Sequence, residues 1–287
     1  MDKRFKIDYK KVFNLQKEGK YPVQIAKEVK CGVHSIYYIF RKYGIPVPKN
    51  GDFLRKKVND KFFNKIDSEI KAYWLGFLMA DGCIVSKSKG QKSLQLALKA
   101  SDINHLEKFK KDIDSESIIH TYFIKRYNVY ATRIFITSDV LCNDLIKLGC
   151  TERKSLTLKF PKLFKKYISH FIRGYFDGDG SVFTFNDKHW RSGKISKIIQ
   201  CNFVSTKEFL TSICKELDFI KFDKDPVKAI KDNKAFSMSF KRIERVSNFY
   251  KYLYKNHTVC LERKKSIFDK YFKEKGSETI INNPVKD

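Results

Sequence analysis

The 287-residue sequence predicts a mixed α/β chain of the α+β kind: two pseudo-symmetric αββαββα halves preceded by a small all-α unit. Three observations predict it. An apolar segment running into Asp-Gly occurs twice, as "WLGFLMADG" at 74–82 and "IRGYFDGDG" at 172–180. Each copy leads into an alternating stretch and then an amphipathic one. Each closes on a related basic cluster, "CTERKS" at 150–155 and "CLERKKS" at 260–266.

The first element is a helix-turn-helix unit over 1–48. Val12, Leu15 and Gln16 start a short amphipathic helix that stops near Gly19. Val23, Ile25, Ala26 and Val29 form a second apolar set, and Ile36, Ile39 and Phe40 a third. Ala26 sits where such a pair of helices needs a small residue, and Ile36 packs back against it. Lys30 stands where the turn commonly has glycine. His34, Ser35, Tyr37, Tyr38 and Arg41 lie on the exposed face of the third helix, with groups that can bond to bases or phosphates. The other reading is a small helical domain that packs on the rest of the chain.

"GIPVPKNGD" at 44–52 holds two prolines and two glycines, so residues 49–68 read as a linker. The halves then span 69–165 and 166–273. In each, the motif helix is followed by an alternating strand: Leu94, Leu96, Leu98, then Ile199, Cys201, Phe203. A helix comes next, "SDINHLEKFKKDI" from Ser101 and "STKEFLTSICKEL" from Ser205. Further strands are "ATRIFITS" at 131–138 and "AFSMSFKR" at 235–242. The polar tail, 274–287, is expected to fray.

Composition narrows the partner. The formal net charge is +27, which calls for a polyanion: DNA, RNA or an acidic membrane. The longest apolar runs fall far short of the ~20 residues of a bilayer span. "MDKRFKIDYKK" has no apolar signal core, so a membrane loses ground to nucleic acid. Seven cysteines, an odd number without CxxC spacing, argue against a disulfide framework and a zinc site. They fit a reducing intracellular compartment. The six histidines make no HNH-like or HExxH cluster.

The chemistry is expected where the motif helices end. Gly76 and Ala80 share one helix face, as do Gly174 and Gly178. Small residues at this spacing let two backbones approach closely. Trp74, Phe77, Leu78, Phe171, Tyr175 and Phe176 then anchor each helix in its own half. Asp81 and Asp179 follow the contact faces, so packing brings their carboxylates together. At a separation of about 4 Å and an effective dielectric of ~20, two such charges repel by roughly 4 kcal/mol. The negative helix ends add to this. A cation between them or a shared proton relieves the repulsion, and oxygen ligands with open water positions suit Mg²⁺ (or Mn²⁺). One Asp-Gly alone would read as a helix cap, with Gly82 or Gly180 in the left-handed turn. Two matched copies favour function.

At these residues the chain resembles the single-chain, two-motif LAGLIDADG homing endonucleases over roughly residues 60–272. Met79 stands where the family often has an acidic residue, a position that usually caps or packs. The resemblance implies two four-stranded antiparallel sheets forming a saddle over duplex DNA. It implies that Asp81 and Asp179 bind divalent metal, helped by the backbone carbonyls of Ala80 and Gly178. The family also keeps a basic residue near each metal centre. The repeated "ERK" matches it with Lys154 and Lys264, with Lys265 a rival for Lys264 and plain phosphate contact the other reading. Arg153 and Arg263 read as phosphate anchors. Period-two alternation puts candidate base readers opposite the apolar set: Ser93, Gln95, Lys99 and Arg133 in one half, Gln200, Asn202, Ser237, Ser239 and Lys241 in the other.

The expected activity is a site-specific, metal-dependent double-strand break in duplex DNA by a monomer. The alternatives are a non-cleaving DNA-binding regulator and an intron RNA maturase on the same scaffold. Met1 at the start and no terminal Asn lead us to expect a separately expressed enzyme rather than an intein.

Overall fold

The computed structural model describes residues 7–18, 20, 22–45, 56–86, 90–188, 191, 193, 195–230 and 234–276. Gly19, residues 46–48 at the end of the expected helix-turn-helix unit, residues 49–55 of the expected linker and the tail beyond 276 lie outside the described residues. The chain divides into two compact units, Met1–Lys56 and Lys57–Asp287.

The first unit holds α1 (Tyr9–Lys17), α2 (Pro22–Glu28) and α3 (Val33–Lys42). Asp8 caps α1, its side chain accepting from the Lys11 N–H at 3.1 Å. Val12, Leu15, Ile25, Ala26, Ile36, Ile39 and Phe40 make the core. Val23, expected among them, is exposed, and Pro22 is buried instead. Pro22 and Ile25–Ala26 keep the helical spacing that Val23 breaks. Lys30 adopts the left-handed conformation, φ 54°, that its place in the turn requires. Glycine would reach it at lower cost, but the turn still closes, with the Cys31 N–H donating to the Ala26 carbonyl at 2.9 Å. On α3, His34, Tyr38 and Arg41 are exposed while Ser35 and Tyr37 are half-buried.

The second unit is the expected duplication. Its first half runs α4 (Glu69–Asp81), β1 (Gly82–Ser86), β2 (Lys92–Lys99), α5 (Ile103–Asp112), β3 (Ile119–Ile124), β4 (Val129–Thr137) and α6 (Asp139–Lys147). The second repeats the order as α7 (Lys165–Gly178), β5 (Ser181–Lys188), β6 (Ile195–Ser205), α8 (Lys207–Glu216), β7 (Val227–Ile230), β8 (Ala235–Phe240) and α9 (Ile243–Tyr254). It then adds α10 (Glu262–Glu274), which the second basic cluster opens. Both sheets are antiparallel with the same order, β1-β2-β4-β3 and β5-β6-β8-β7. Residues 57–68, expected as linker, instead belong to this unit: Phe62, Phe63 and Ile66 are buried in its core. The Asn59 N–H donates to the Ile113 carbonyl at 2.9 Å. The turn residues at 44–52 signal a break, but the apolar residues further on set where packing resumes.

The core centres on α4 against α7. A Cβ on Gly76 would lie 2.8 Å from the Tyr175 nitrogen, and one on Gly174 would lie 2.9 Å from the Phe77 nitrogen. The backbones are therefore in direct contact, as the small-residue faces predict. Around this crossing, Tyr175 stacks over Phe203 and packs on Phe209, while Phe176 packs on Phe249. Trp74 donates its ring N–H to Asp112 at 2.7 Å. Far from the Asp-Gly ends, the fully buried Arg173 donates to the carbonyls of Val259 at 3.0 Å and Leu253 at 2.8 Å, and to Glu69 of the other half. Glu69 also accepts from the Thr258 N–H at 2.9 Å.

The glycines that follow each aspartate are not left-handed caps. Gly82 is extended, with φ −71° and ψ 147°, and Gly180 does not have positive φ. What requires glycine is crowding. A Cβ would lie 2.6 Å from the Leu78 carbonyl oxygen at Gly82, and 2.6 Å from that of Phe176 at Gly180. The chain turns straight from helix into strand, over the last helical turn.

Candidate metal and nucleic-acid site

Asp81 ends α4 and Asp179 caps the C-terminus of α7, side by side where the helices leave their crossing. A Cβ on Gly178 would lie 3.4 Å from the Asp81 carboxylate, so each helix end abuts the other. Both carboxylates reach solvent at the mouth of the site, but protein hems them in elsewhere. Desolvation pushes the Asp81 carboxyl up to about 6, and the neighbouring Asp179 charge adds to the rise. Lys264 and Lys154 oppose it. Asp179 is also raised by desolvation, and Lys154, Lys264 and a hydrogen bond to Tyr175 hold it down. Tyr175 further bonds to the Ser205 hydroxyl at 2.9 Å. A cleft of about 250 Å³ opens here, lined by Ala80, Lys154, Leu156, Tyr175, Asp179 and Ser205 among others.

The two lysines of the repeated cluster both reach this site, by different routes. Lys154 starts a short 3₁₀ turn after the left-handed Arg153, φ 52°, and its ammonium donates to the Gly82 carbonyl. Lys264 lies in the first turn of α10 and is buried. Its ammonium donates to the carbonyls of Phe176 at 2.7 Å, Gly178 at 2.9 Å and Gly180. Burial lowers its pKa to about 8 against the pull of Asp177 and Asp81. The cation thus neutralises the negative end of α7. Lys265 instead pairs with Asp269 at 2.8 Å, so Lys264 is the one beside the carboxylates. The Gly178 carbonyl, expected as a metal ligand, already accepts from Lys264, and a second cation has only its other lone pair.

The other expected contacts divide. In the first sheet Cys83, Gln95 and Phe135 form one row across β1, β2 and β4. Ala97, Arg133 and His120 form the next, across β2, β4 and β3. Gln95 and Arg133 are partly exposed on this outer face, and Lys99 is exposed at its edge. Ser93 shares the face but is buried, bonded to the Thr137 hydroxyl at 3.0 Å, so it is not open to a ligand. In the second sheet Ser181, Asn202 and Ser239 form a row, with Phe183–Gln200 beside it and Val204–Ser237–Lys228 on its other side. Lys241 lies just past β8, 3.9 Å from Asp187. Arg153 is exposed. Arg263 is taken up by Asp102 of the other half, at 3.1–3.3 Å through two nitrogens, which leaves it a link between halves rather than a free phosphate anchor.

Asp177 was missed as a structural residue. It is buried, and one carboxylate oxygen accepts from the Tyr73 hydroxyl at 2.8 Å and the Leu261 N–H at 2.7 Å. It therefore ties α7 to the start of α10. Met79, at the matching place in the first half, lies against Gly149 ahead of the first basic cluster. Met79 against Asp177 was the signal: one half fills this joint with an apolar chain, the other with a hydrogen-bonded carboxyl. Among the described residues no group of three or more His, Cys, Asp or Glu could hold a metal ion, so a metal here would rest on the two carboxylates, carbonyls and water. That donor set, with both carboxyls raised by burial, fits a hydrated magnesium-like ion.

No protein-family model and no curated protein matches the chain. Solved structures do. The meganuclease I-AabMI bound to uncleaved DNA matches at TM-score 0.51 and 12% identity, over 73% of this chain and 92% of that one. The I-SmaMI LAGLIDADG homing endonuclease bound to cleaved DNA matches at TM-score 0.51 and 11% identity, over 76% and 92%. The chain therefore has the two-half LAGLIDADG fold. No helix among the described residues is long and apolar enough to cross a membrane, and all seven cysteines are unpaired.

Proposed function

We propose that the protein is a sequence-specific endonuclease of duplex DNA that hydrolyses phosphodiesters with Mg²⁺ or Mn²⁺. The observation that carries this is the convergence of Asp81 and Asp179 at the ends of two backbone-contacting helices. Such a pair is costly and would serve no purpose on a scaffold that only binds, which disfavours the regulator reading. Bound divalent ions would supply water activation and charge neutralisation at the scissile phosphate. Asp81 and Asp179 would hold the ions. Lys154 and Lys264 keep positive charge beside the reacting phosphate, each pinned by carbonyls of the helix ends. The two outer sheet faces, on a chain of net charge +27, would lie on the duplex, and the exposed side of α3 would extend the footprint. A monomer suffices, since one chain carries both halves. Intron RNA is a second partner only through the same charge.

The test is cleavage of a randomised duplex library followed by sequencing of the new ends. The expected result is metal-dependent ends clustered on one asymmetric sequence. Ends that are scattered, or formed equally in EDTA, would sink the reading. A second expectation follows from Asp81. Its carboxyl is protonated below about 6, so protons compete with the metal there and divalent affinity falls as the pH drops through that value. Calorimetric titration with Mg²⁺ at pH 7.5 and 5.5 checks it, and equal affinities would mean that these carboxylates do not hold the ion.

A further inference from the structure

We infer that Arg133 reads a guanine in the half-site that lies on the first sheet. The inference rests on the proposed action on duplex DNA and goes beyond it by assigning a base. Arg133 projects from β4 on the outer face, in register with Ala97 and His120. Its guanidinium carbon lies 4.6 Å from the Tyr122 ring centre and 5.0 Å from that of Phe135. Phe135 is two residues further along the same strand, and Tyr122 lies diagonally opposite on β3. The guanidinium thus has a ring on each flank.

Its polar edge is not used by the protein. The Arg133 Nε is buried without a hydrogen-bond partner. No carboxylate pairs with Arg133 among the described residues, whereas Arg173, Arg245 and Arg263 pair with Glu69, Asp223 and Asp102. The Nε is enclosed, so a ligand would meet the two terminal nitrogens at the open end of the fork, and a half-buried cation with no acceptor there is expensive to keep unless something outside the chain completes it. The rings limit the rotamers of the side chain, so little freedom is lost when its planar fork engages a ligand. Two acceptors side by side fit that fork: O6 and N7 of guanine in a major groove, or two oxygens of a phosphate. The place favours the base. Arg133 stands mid-sheet, with Ala97 of β2 beside it and Gln95 and Phe135 in the next row, where a groove floor rather than a backbone would lie.

The experiment is selection of bound duplexes from a randomised pool with the full chain and metal held at one concentration, comparing wild type with Arg133→Lys, Arg133→Ala and Tyr122→Leu. Wild type is expected to enrich a G·C pair at one position by about tenfold or more, the scale of a bidentate contact. Arg133→Lys, which keeps the charge but not the fork, loses that preference at that position alone. Arg133→Ala does the same, and Tyr122→Leu weakens it. The assignment is overturned if Arg133→Lys keeps the wild-type preference. It is equally overturned if Arg133→Ala weakens all sequences alike, the mark of a phosphate contact. If wild type enriches no sequence at all, the DNA reading beneath it fails as well.

Discussion

Asp81→Asn or Asp179→Asn is expected to leave DNA binding near wild type and to slow cleavage by about a hundredfold or more, the scale of losing one group that stabilises charge at a reacting centre. The amide keeps the shape of the carboxylate but gives up the charge that a divalent ion needs. Binding survives because the sheet faces are untouched. The same changes should raise the melting temperature of the metal-free protein. Both carboxyls are pushed up by desolvation, so at neutral pH the fold holds them ionised against their surroundings. An amide carries no such penalty. Single-turnover cleavage, a mobility-shift assay and a thermal melt, run on the same preparations, check all three. A double Asp81→Asn, Asp179→Asn variant that cuts at the wild-type rate would remove both residues from the chemistry.

The largest loss of stability is expected from Gly174→Ala. The new Cβ would fall on the Tyr73 carbonyl, 2.8 Å from its carbon and 2.9 Å from the Phe77 nitrogen. All of these are backbone atoms of α4, so no side chain can swing away. Either the helices separate along their length, or both halves shift on a core that includes Tyr73, Phe77, Phe171 and Tyr175. Overpacking a core commonly costs about 1–3 kcal/mol, and here the neighbour is rigid, so about 3 kcal/mol or more is expected. Urea unfolding of the full chain measures it. Equal midpoints for wild type and Gly174→Ala would mean that the two helices are not in backbone contact.

What could be read from the sequence was whatever is written in local periodicity. The motif helices, the strands that alternate after them, and the meeting of Gly76 with Gly174 all follow from residue spacing, and all are present. Contacts between distant segments were not legible in that way. Arg263 resembles a free anchor until Asp102, in the other half, turns out to face it. Ser93 fits the alternation of β2, yet Thr137 on the neighbouring strand takes its hydroxyl. Nothing in "ERK" says that one lysine would sit in a turn with one carbonyl and its counterpart in a helix with three. The cap alternative would use the glycines after the aspartates for their left-handed freedom, whereas it is the absence of a side chain that matters at both.

The close crossing of α4 and α7 also bears on how the protein is made. Gly76 and Gly174 are 98 residues apart, so the ribosome has finished the first half before the partner of its bare helix face exists. At roughly 5–20 residues per second, that face waits about 5 to 20 seconds for cover. Thr258, which closes on Glu69 from 189 positions away, comes later still. A nascent chain stalled between the halves therefore presents a smooth apolar helix suited to a chaperone or to another stalled copy.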